Sequence, residues 1–453
     1  MSTIAAISTG RAPGGIGVIR ISGENAISVG DKVFSSVSGK KLCEIDGYSA
    51  LYGKAFDENG SIDNVVALLF RAPKSYTGED VVEISCHGGL FVTDKVLKAT
   101  FDAGAVPAEA GEFTKRAFLN GKMDLTSAES VMNIISAQGE QAEKIALGAL
   151  EGRLFKKIKK ITDKLVYDMA LLSAWVDYPY EKIEDLSENN LKEHIDESIL
   201  SLEKLINDFG KGQIIMEGVD TAIVGCPNVG KSTLMNLLSG TEKSIVTEIA
   251  GTTRDVVEDT VNVGGITLRL ADTAGVRETD DVVESIGVDR AVKRLENAQL
   301  VLAVFDASRE LNASDHRLIE LCKGKKVIGV VNKIDTDKNY LNGKVEKNFT
   351  QTVFISAKTG EGKEELSKAI EELLGTVDFD TSAAAVINER QCDCCKKALD
   401  ALHDAYNALN SGMTMDAVTV CLDSAVENLM ILTGEKATEL VVNEIFAQFC
   451  VGK

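Results

Sequence analysis

A glycine-rich segment from Gly225 to Ser232, GCPNVGKS, has the residue types and spacing of a phosphate-binding loop. It follows the apolar run TAIV and precedes the helical pattern STLMNLLSG. Glycines at a strand-to-helix turn let backbone N–H groups surround phosphate oxygens at the N-terminus of the helix. We predict that Lys231 reaches the β- and γ-phosphates of a nucleotide and that the Ser232 hydroxyl holds Mg²⁺.

The segment VVNKID, which contains Asn332, Lys333 and Asp335, indicates which base is bound. A carboxylate at Asp335 can accept hydrogen bonds from the ring N–H and the exocyclic amine of guanine, whereas adenine offers no such pair of donors. The loop ISAKTG is typical of the segment that supports this pocket in GTPases, and its predicted contacts are Ser356, Ala357 and Lys358. We therefore predict GTP as the ligand.

Two further loops are predicted to supply metal binding and catalysis. In DTAG, the Asp supports Mg²⁺ and the Gly senses the γ-phosphate, but the next residue is Val276, which cannot orient water as the Gln of Ras-like enzymes does. Asn228 and the backbone carbonyls of TEIAGTTRD can instead hold K⁺ near the phosphoryl group. The predicted contacts of these loops and of the phosphate loop are Asn228, Val229, Gly230, Lys231, Ser232, Thr233, Thr247, Glu248, Ile249, Ala250, Gly251, Thr252, Thr253, Asp272, Thr273, Ala274 and Gly275.

The elements that must position these residues fall into four segments. Residues 1–118 mix short β-rich runs with one helical stretch, which predicts a small α+β domain. Residues 119–212 carry long amphipathic helical patterns, and residues 213–375 alternate strands and helices as in a doubly wound parallel sheet. The helical pattern returns in residues 376–453. We predict a multidomain α+β and α/β protein whose nucleotide domain is inserted into a discontinuous helical domain.

Composition narrows the class of protein and its partners. The chain has 453 residues and a net charge of −20, which argues against a main role in gripping a polyanion. The strip KKIKK is interpreted as a solvated helix face, with a phosphate-contacting strip as the alternative. We find no run long enough to span a membrane and no signal peptide, so a cytosolic location is expected. Nine cysteines and four histidines fit reduced thiols. CDCC (Cys392 to Cys395) is interpreted as ordinary helix positions, with a metal site as the alternative. His87 is interpreted as a turn histidine bonded to backbone, with a catalytic histidine as the alternative.

Taken together, these motifs resemble the MnmE (TrmE) family of bacterial tRNA modification GTPases over essentially the whole chain. The segments that carry the resemblance are SYTGEDVVEISCHGG, GEFTKRAFLNGKMDL, GCPNVGKST, IAGTTRD, DTAG, NKID and FCVGK. The resemblance implies a Ras-like GTPase domain and an N-terminal domain that binds tetrahydrofolate and forms a homodimer.

The resemblance also implies roles for individual residues. It assigns K⁺ to Asn228 and the carbonyls of three loop residues, Mg²⁺ to Ser232 and one loop threonine, and the orientation of the attacking water to Glu284. It assigns a formyl-tetrahydrofolate to Arg20, Glu83, Lys122 and Lys453. The K⁺ carbonyls belong to Thr247, Ile249 and Thr252, and the Mg²⁺ threonine is Thr253.

The last five residues, FCVGK, place Cys450 where a prenylation signal would have it, but Gly452 and Lys453 do not fit that signal. The alternatives are a frayed helix end and a tail that folds back towards the N-terminal domain. The resemblance favours the tail, which brings Lys453 near the folate. Cys450 then has either a catalytic role, as a reactive thiolate beside lysines, or a packing role.

The activity implied is K⁺-stimulated GTP hydrolysis that accompanies aminomethylation of the wobble uridine of certain tRNAs. A basic, FAD-containing partner of the MnmG (GidA) type would hold most of the tRNA, which fits the acidic charge of this chain. One alternative is a ribosome-assembly GTPase of the Era or Der type, but these carry a basic KH-like domain after the GTPase. The other is a GTP-gated switch with no chemistry of its own.

Overall fold

The structure is a computed structural model, and it describes residues 2–177, 188–240, 259–270, 295, 298–336 and 345–453. Two β-sheets and a set of long helices make up these residues. None of the described helices combines the length and apolar character needed to cross a membrane.

The first sheet lies in the N-terminal part of the chain and has the strand order β3-β4-β5-β6-β2-β1-β7. Its strand pairs are antiparallel, except that β1 and β7 pair in parallel. Apolar and polar residues alternate along the strands, so one face of the sheet carries the core. Helices α1 (Ala26–Val33) and α2 (Leu90–Asp102) cover that face. The strands are β1 (Ile4–Ile7), β2 (Ile16–Ser22), β3 (Phe34–Ser36), β4 (Ser49–Asp57), β5 (Gly60–Phe70), β6 (Val81–His87) and β7 (Val106–Pro107).

His87 differs from its predicted environment. It ends β6, and its Nδ1 lies 2.7 Å from Oδ1 of Asp63 on the neighbouring strand β5. The prediction of a histidine side chain bonded to backbone was wrong, because sheet pairing supplies a carboxylate that no local pattern reveals.

A helical region follows this sheet and returns at the end of the chain. The first group of helices is α3 (Glu112–Leu119), α4 (Leu125–Ser136), α5 (Glu140–Leu150), α6 (Arg153–Asp177) and α7 (Glu188–Glu217). The second group is α11 (Glu389–Asn410), α12 (Met415–Thr433) and α13 (Glu439–Ala447). Leucine and isoleucine side chains of α6 and α7 share one core with α11 and α12. Cys392 and Cys395 lie in that core, where burial raises the pKa of both thiols.

The second sheet stands between the two helical groups in sequence and has the order β13-β12-β11-β8-β10-β9. All its pairs are parallel except the edge pair β9–β10. The central strands β11 and β12 are buried along their whole length, as expected for a parallel sheet covered on both faces. Its elements are β8 (Val219–Gly225), α8 (Lys231–Ser239), β9 (Asp259–Val263), β10 (Ile266–Leu270), β11 (Leu300–Asp306), α9 (Ala313–Leu321), β12 (Val327–Asn332), β13 (Gln351–Phe354) and α10 (Lys363–Leu374).

Candidate functional site

The phosphate loop joins β8 to α8 at the carboxyl edge of the second sheet, where ligands bind in open α/β folds. Gly230 caps the helix with φ +93°, and Asn228 has φ +63°, so the loop bends through left-handed backbone just before the helix. A Cβ at Gly230 would lie 2.3 Å from Nδ2 of Asn332. Glycine is therefore required here both by the dihedral angle and by the approach of β12.

Side-chain donors occupy the carbonyl oxygens of this loop. Asn332 Nδ2 donates to the Val229 carbonyl at 2.9 Å, and Lys333 Nζ donates to the Asn228 carbonyl at 2.7 Å. Lys231 Nζ donates to the carbonyls of Gly225 at 2.9 Å and Cys226 at 2.8 Å. These donors hold the carbonyl oxygens of the loop, which would repel an anion. A phosphate therefore binds on the side where the backbone N–H groups of the loop point. The contact of Lys231 with phosphate stays a prediction.

Asp306 supports the loop from the end of β11, directly opposite Asn332 in the parallel register. Its Oδ2 lies 2.6 Å from Lys333 Nζ, which in turn holds the loop. Burial opposes ionisation of Asp306, but hydrogen bonds from Lys333 and Ser308 outweigh it and lower the pKa of the carboxyl. Our sequence analysis missed this residue, although its position at the end of an apolar strand could have indicated it.

Asn332 also joins the phosphate loop to the loop predicted to support the base. Its Oδ1 accepts a hydrogen bond from the backbone N–H of Ala357 at 2.9 Å. Ser356 Oγ donates to Oδ1 of Asp335 at 2.8 Å, which orients the carboxylate predicted to read guanine. Lys358 is exposed beside this pocket. The structure thus brings together the phosphate and base loops of the predicted GTP site.

Ser232 and Thr233 are exposed in the first turn of α8, where a metal bound to phosphate can reach a hydroxyl. Cys226, the second residue of the loop, is buried, and burial together with a bond to Asp315 raises the pKa of its thiol to about 11. The remaining predicted residues lie outside the described residues: Thr247, Glu248, Ile249, Ala250, Gly251, Thr252, Thr253, Asp272, Thr273, Ala274, Gly275 and Glu284.

A second polar site lies on the first sheet, on the face opposite its core. Arg20 on β2 and Glu83 on β6 are paired directly across the two strands, and Arg20 Nε lies 2.8 Å from Glu83 Oε1. The guanidinium also lies 5.3 Å from the ring centre of Tyr76 and 5.5 Å from that of Phe113. Both aromatic residues escaped our sequence analysis, because neither is adjacent to Arg20 in the chain.

The C-terminal tail docks beside this site. Val451 pairs with Ala110 as an antiparallel bridge, and Phe113 N donates to the oxygen of Lys453 at 3.1 Å. Gly452 has φ +97°, and a Cβ there would lie 2.2 Å from the Ile7 carbonyl oxygen. The interpretation of FCVGK as a folded-back tail is confirmed by these contacts.

Lys453 is close enough to the ion pair for Arg20 and Glu83 to act on its charge. Burial first, and Arg20 next, lower the pKa of its amine, while Glu83 partly offsets them. Cys450 is exposed. Lys122, the fourth residue assigned to this site, donates to the Pro73 carbonyl at 2.9 Å, on the loop that carries Tyr76.

Comparison with known proteins matches nearly the whole chain to one family. A family model described as the MnmE helical domain matches residues 125–450, and one described as the N-terminus of the GTP-binding protein TrmE matches residues 3–122. The chain is 42% identical to the tRNA modification GTPase MnmE of Clostridioides difficile, with 100% of this chain and 99% of the relative covered. The corresponding protein of Acetivibrio thermocellus is 40% identical with the same coverage of both chains.

Among solved structures, the G domain of the T. maritima FeoB iron transporter is 32% identical, with 34% of this chain and 98% of that one covered and a TM-score of 0.26. The full-length relatives and the two family models show the family. This chain belongs to the MnmE family of tRNA modification GTPases.

Proposed function

We propose that this chain works as a homodimer with an FAD-containing, MnmG-type partner to add an aminomethyl-type group to C5 of the wobble uridine of certain tRNAs. The one-carbon unit comes from a tetrahydrofolate bound on the first sheet, and K⁺ stimulates the GTP hydrolysis. The observation that carries this proposal is the docking of Lys453 beside the Arg20–Glu83 ion pair: its backbone oxygen accepts from Phe113 N at 3.1 Å, and the Phe113 ring lies 5.5 Å from the Arg20 guanidinium.

The chemistry of this polar site fits a folate. A carboxylate such as Glu83 can accept from the ring N–H and amino group of a pterin, and Arg20, bonded to Glu83, can donate to a carbonyl oxygen at the same end of the ligand, as can the amine of Lys453. Of the two rings beside Arg20, that of Phe113 is fully buried and that of Tyr76 is half-buried, so it is Tyr76 that can offer flat apolar surface to a bicyclic ligand. When bound, the folate supplies the one-carbon unit, and these side chains hold and orient it.

Asn228 supports the K⁺ part of the proposal. Its left-handed backbone places it at the bend of the phosphate loop, where a side-chain oxygen can approach a cation next to the phosphates. Such a cation would offset negative charge that develops during hydrolysis, as an arginine finger does in other GTPases. The carbonyls of Thr247, Ile249 and Thr252 would complete the site, and Glu284 would orient the water.

Exposed apolar residues on the first sheet support the homodimer. Tyr52 and Val66 are paired across β4 and β5, and their side chains are 58% and 41% exposed on the face away from the helices. Adjacent exposed apolar side chains of this kind are typical of an interface. Tyr52→Asp should give monomers in light scattering with sizing, whereas Val420→Asp, on the exposed face of α12, should leave the dimer intact.

The main test is mass spectrometry of nucleosides from the tRNA of cells with and without this gene. Loss of the wobble side chain, restored by the wild-type gene but not by Glu284→Ala, would establish the modification and its need for hydrolysis. An unchanged profile with altered ribosomal subunits would favour an assembly factor. Full modification with Cys450→Ser would rule out catalysis by that thiol.

Two assays in vitro separate the cofactors. GTP turnover should be faster in K⁺ than in Na⁺, and Asn228→Ala should remove the difference; equal rates for the wild type would remove K⁺ from the proposal. In calorimetry, 5-formyl-tetrahydrofolate should bind the wild type and Glu58→Gln, in the exposed turn after β4, but bind Glu83→Gln at least about ten-fold more weakly. Equal binding to both variants would move the folate elsewhere.

A further inference from the structure

A polar cluster at the start of the phosphate loop consists of the buried Cys226 and Asp315, the half-buried Arg309 and the exposed Asn312. Asp315 stands in the first turn of α9, and its side chain is fully buried. Asn312 and Asp315 form a capping box, in which Asp315 N donates to Asn312 Oδ1 and Asn312 N donates to Asp315 Oδ2, both at 2.9 Å. This box fixes the carboxylate relative to the start of the helix.

The carboxylate of Asp315 receives four donors. Oδ2 accepts from Arg309 Nη1 at 2.6 Å and from Asn312 N, whereas Oδ1 accepts from Arg309 Nη2 at 3.1 Å and from the thiol of Cys226 at 3.0 Å. Three of these donors belong to the helix cap and the turn before it. The fourth, the thiol, comes from the phosphate loop, 89 positions earlier in the chain.

This fourth bond bears on nucleotide binding because Cys226 also presents its carbonyl to Lys231. Asp315 holds the Cys226 side chain and Lys231 holds the Cys226 carbonyl, so the backbone at Cys226 has little freedom to rotate. The cluster thus adds a third clamp on the loop, at its beginning, to the two that Asn332 and Lys333 provide further along.

We propose that Asp315 is a positioning residue for GTP binding, which acts through the Cys226 thiol to hold the phosphate loop in its binding conformation. The residue lies on α9, outside the phosphate loop, and its side chain is fully buried. Because Asp315 acts on the conformation of the loop and not on reacting atoms, loss of the clamp should weaken binding without slowing the chemical step. The inference depends on GTP hydrolysis alone and is independent of the folate and tRNA chemistry.

The test compares steady-state GTP hydrolysis by Cys226→Ala and Cys226→Ser in the full chain. We expect Cys226→Ala to raise KM for GTP, and Kd for GDP, about ten-fold with kcat unchanged, the size expected for loss of a hydrogen bond to a charged acceptor. Cys226→Ser keeps a donor and should return KM to within about two-fold of wild type. Asp315→Asn, which removes the charged acceptor, should raise KM similarly and show no added effect together with Cys226→Ala.

The matched control is Cys322→Ala, which removes a buried thiol just past the other end of α9. It should lower thermal stability and leave KM unchanged. A wild-type KM for Cys226→Ala, an equal KM rise in Cys322→Ala, or failure of serine to rescue would each overturn the proposal, since each would reduce the thiol to a packing group. If Asp315→Asn does not fold, the Cys226 pair decides alone.

Discussion

The phosphate loop takes its residues from eight consecutive positions, whereas the polar site on the first sheet takes Arg20, Glu83 and Lys453 from three distant segments. In the loop, left-handed backbone and a helix N-terminus create the anion site, and side chains from β11, β12 and α9 only hold it in place. On the sheet, no local backbone shape creates the site. It exists because two strands pair in one register and a tail docks beside them.

This contrast shows where each site is vulnerable. A change within the loop should damage the GTP reaction and leave the tail docked. A change that undocks the tail should remove the Lys453 amine from the polar site on the first sheet and leave GTP hydrolysis unaffected. Each of the following changes tests one side of the contrast.

The largest effect is expected for Lys231→Ala. The Lys231 amine is predicted to contact the β- and γ-phosphates, so its removal should lower kcat/KM for GTP by at least about 100-fold. A loss of this size is expected when a preorganised donor to the charge that develops in the transition state is removed. The tail should stay docked, as judged by hydrogen exchange of the segment around Phe113. A variant that both loses GTP turnover and releases the tail would show that the two sites are not independent.

Gly452→Ala should release the tail. The positive φ of 97° costs an alanine about 1–2 kcal/mol, and its Cβ would also collide with the Ile7 carbonyl. We expect faster exchange at Phe113, about ten-fold weaker folate binding and unchanged basal GTP turnover. Gly412→Ala has φ +66° but open space around its Cβ, so it carries the strain without the collision and should bind folate normally.

Asp306→Asn should weaken the loop clamp moderately. Lys333 would keep its bond to the Asn228 carbonyl but lose its ion pair with the buried Asp306 carboxylate, so KM for GTP should rise by about three- to ten-fold with little change in kcat. Glu320→Gln is the matched control, because its ion pair with Lys323 is exposed and should contribute almost nothing. Equal KM values for the two variants would contradict the clamp.

The smallest effect is a pH dependence of tail docking without folate. Docking lowers the pKa of Lys453, so the docked state holds fewer protons than the free tail and docking should strengthen as pH rises. The gain should accumulate from the lowered pKa up to the ordinary lysine value of 10.5. Protection of Phe113, corrected for intrinsic exchange, should rise with pH in the wild type and stay constant in Lys453→Met.

Much of the GTP site could be predicted from the sequence, because GCPNVGKS, NKID and ISAKTG each determine a short local structure. The strand before the loop and the helix after it lie where the apolar patterns indicated. The supports of the loop could not be predicted. Asp306 was missed because its contact with Lys333 depends on the pairing of two parallel strands, and His87 was assigned the wrong partner because Asp63 reaches it across the sheet.

The sequence by itself determined the nucleotide class, the alternation of sheet and helical segments and the family, since contiguous residues set local dihedral angles, N–H direction and apolar periodicity. Only the tertiary structure decided that Arg20 pairs with Glu83 near Tyr76 and Phe113, that Lys453 docks on Phe113 and that Asp315 holds Cys226. Those contacts follow from strand register, helix packing and tail docking. Their free energy comes from burial across the whole molecule, which no short segment of the chain specifies.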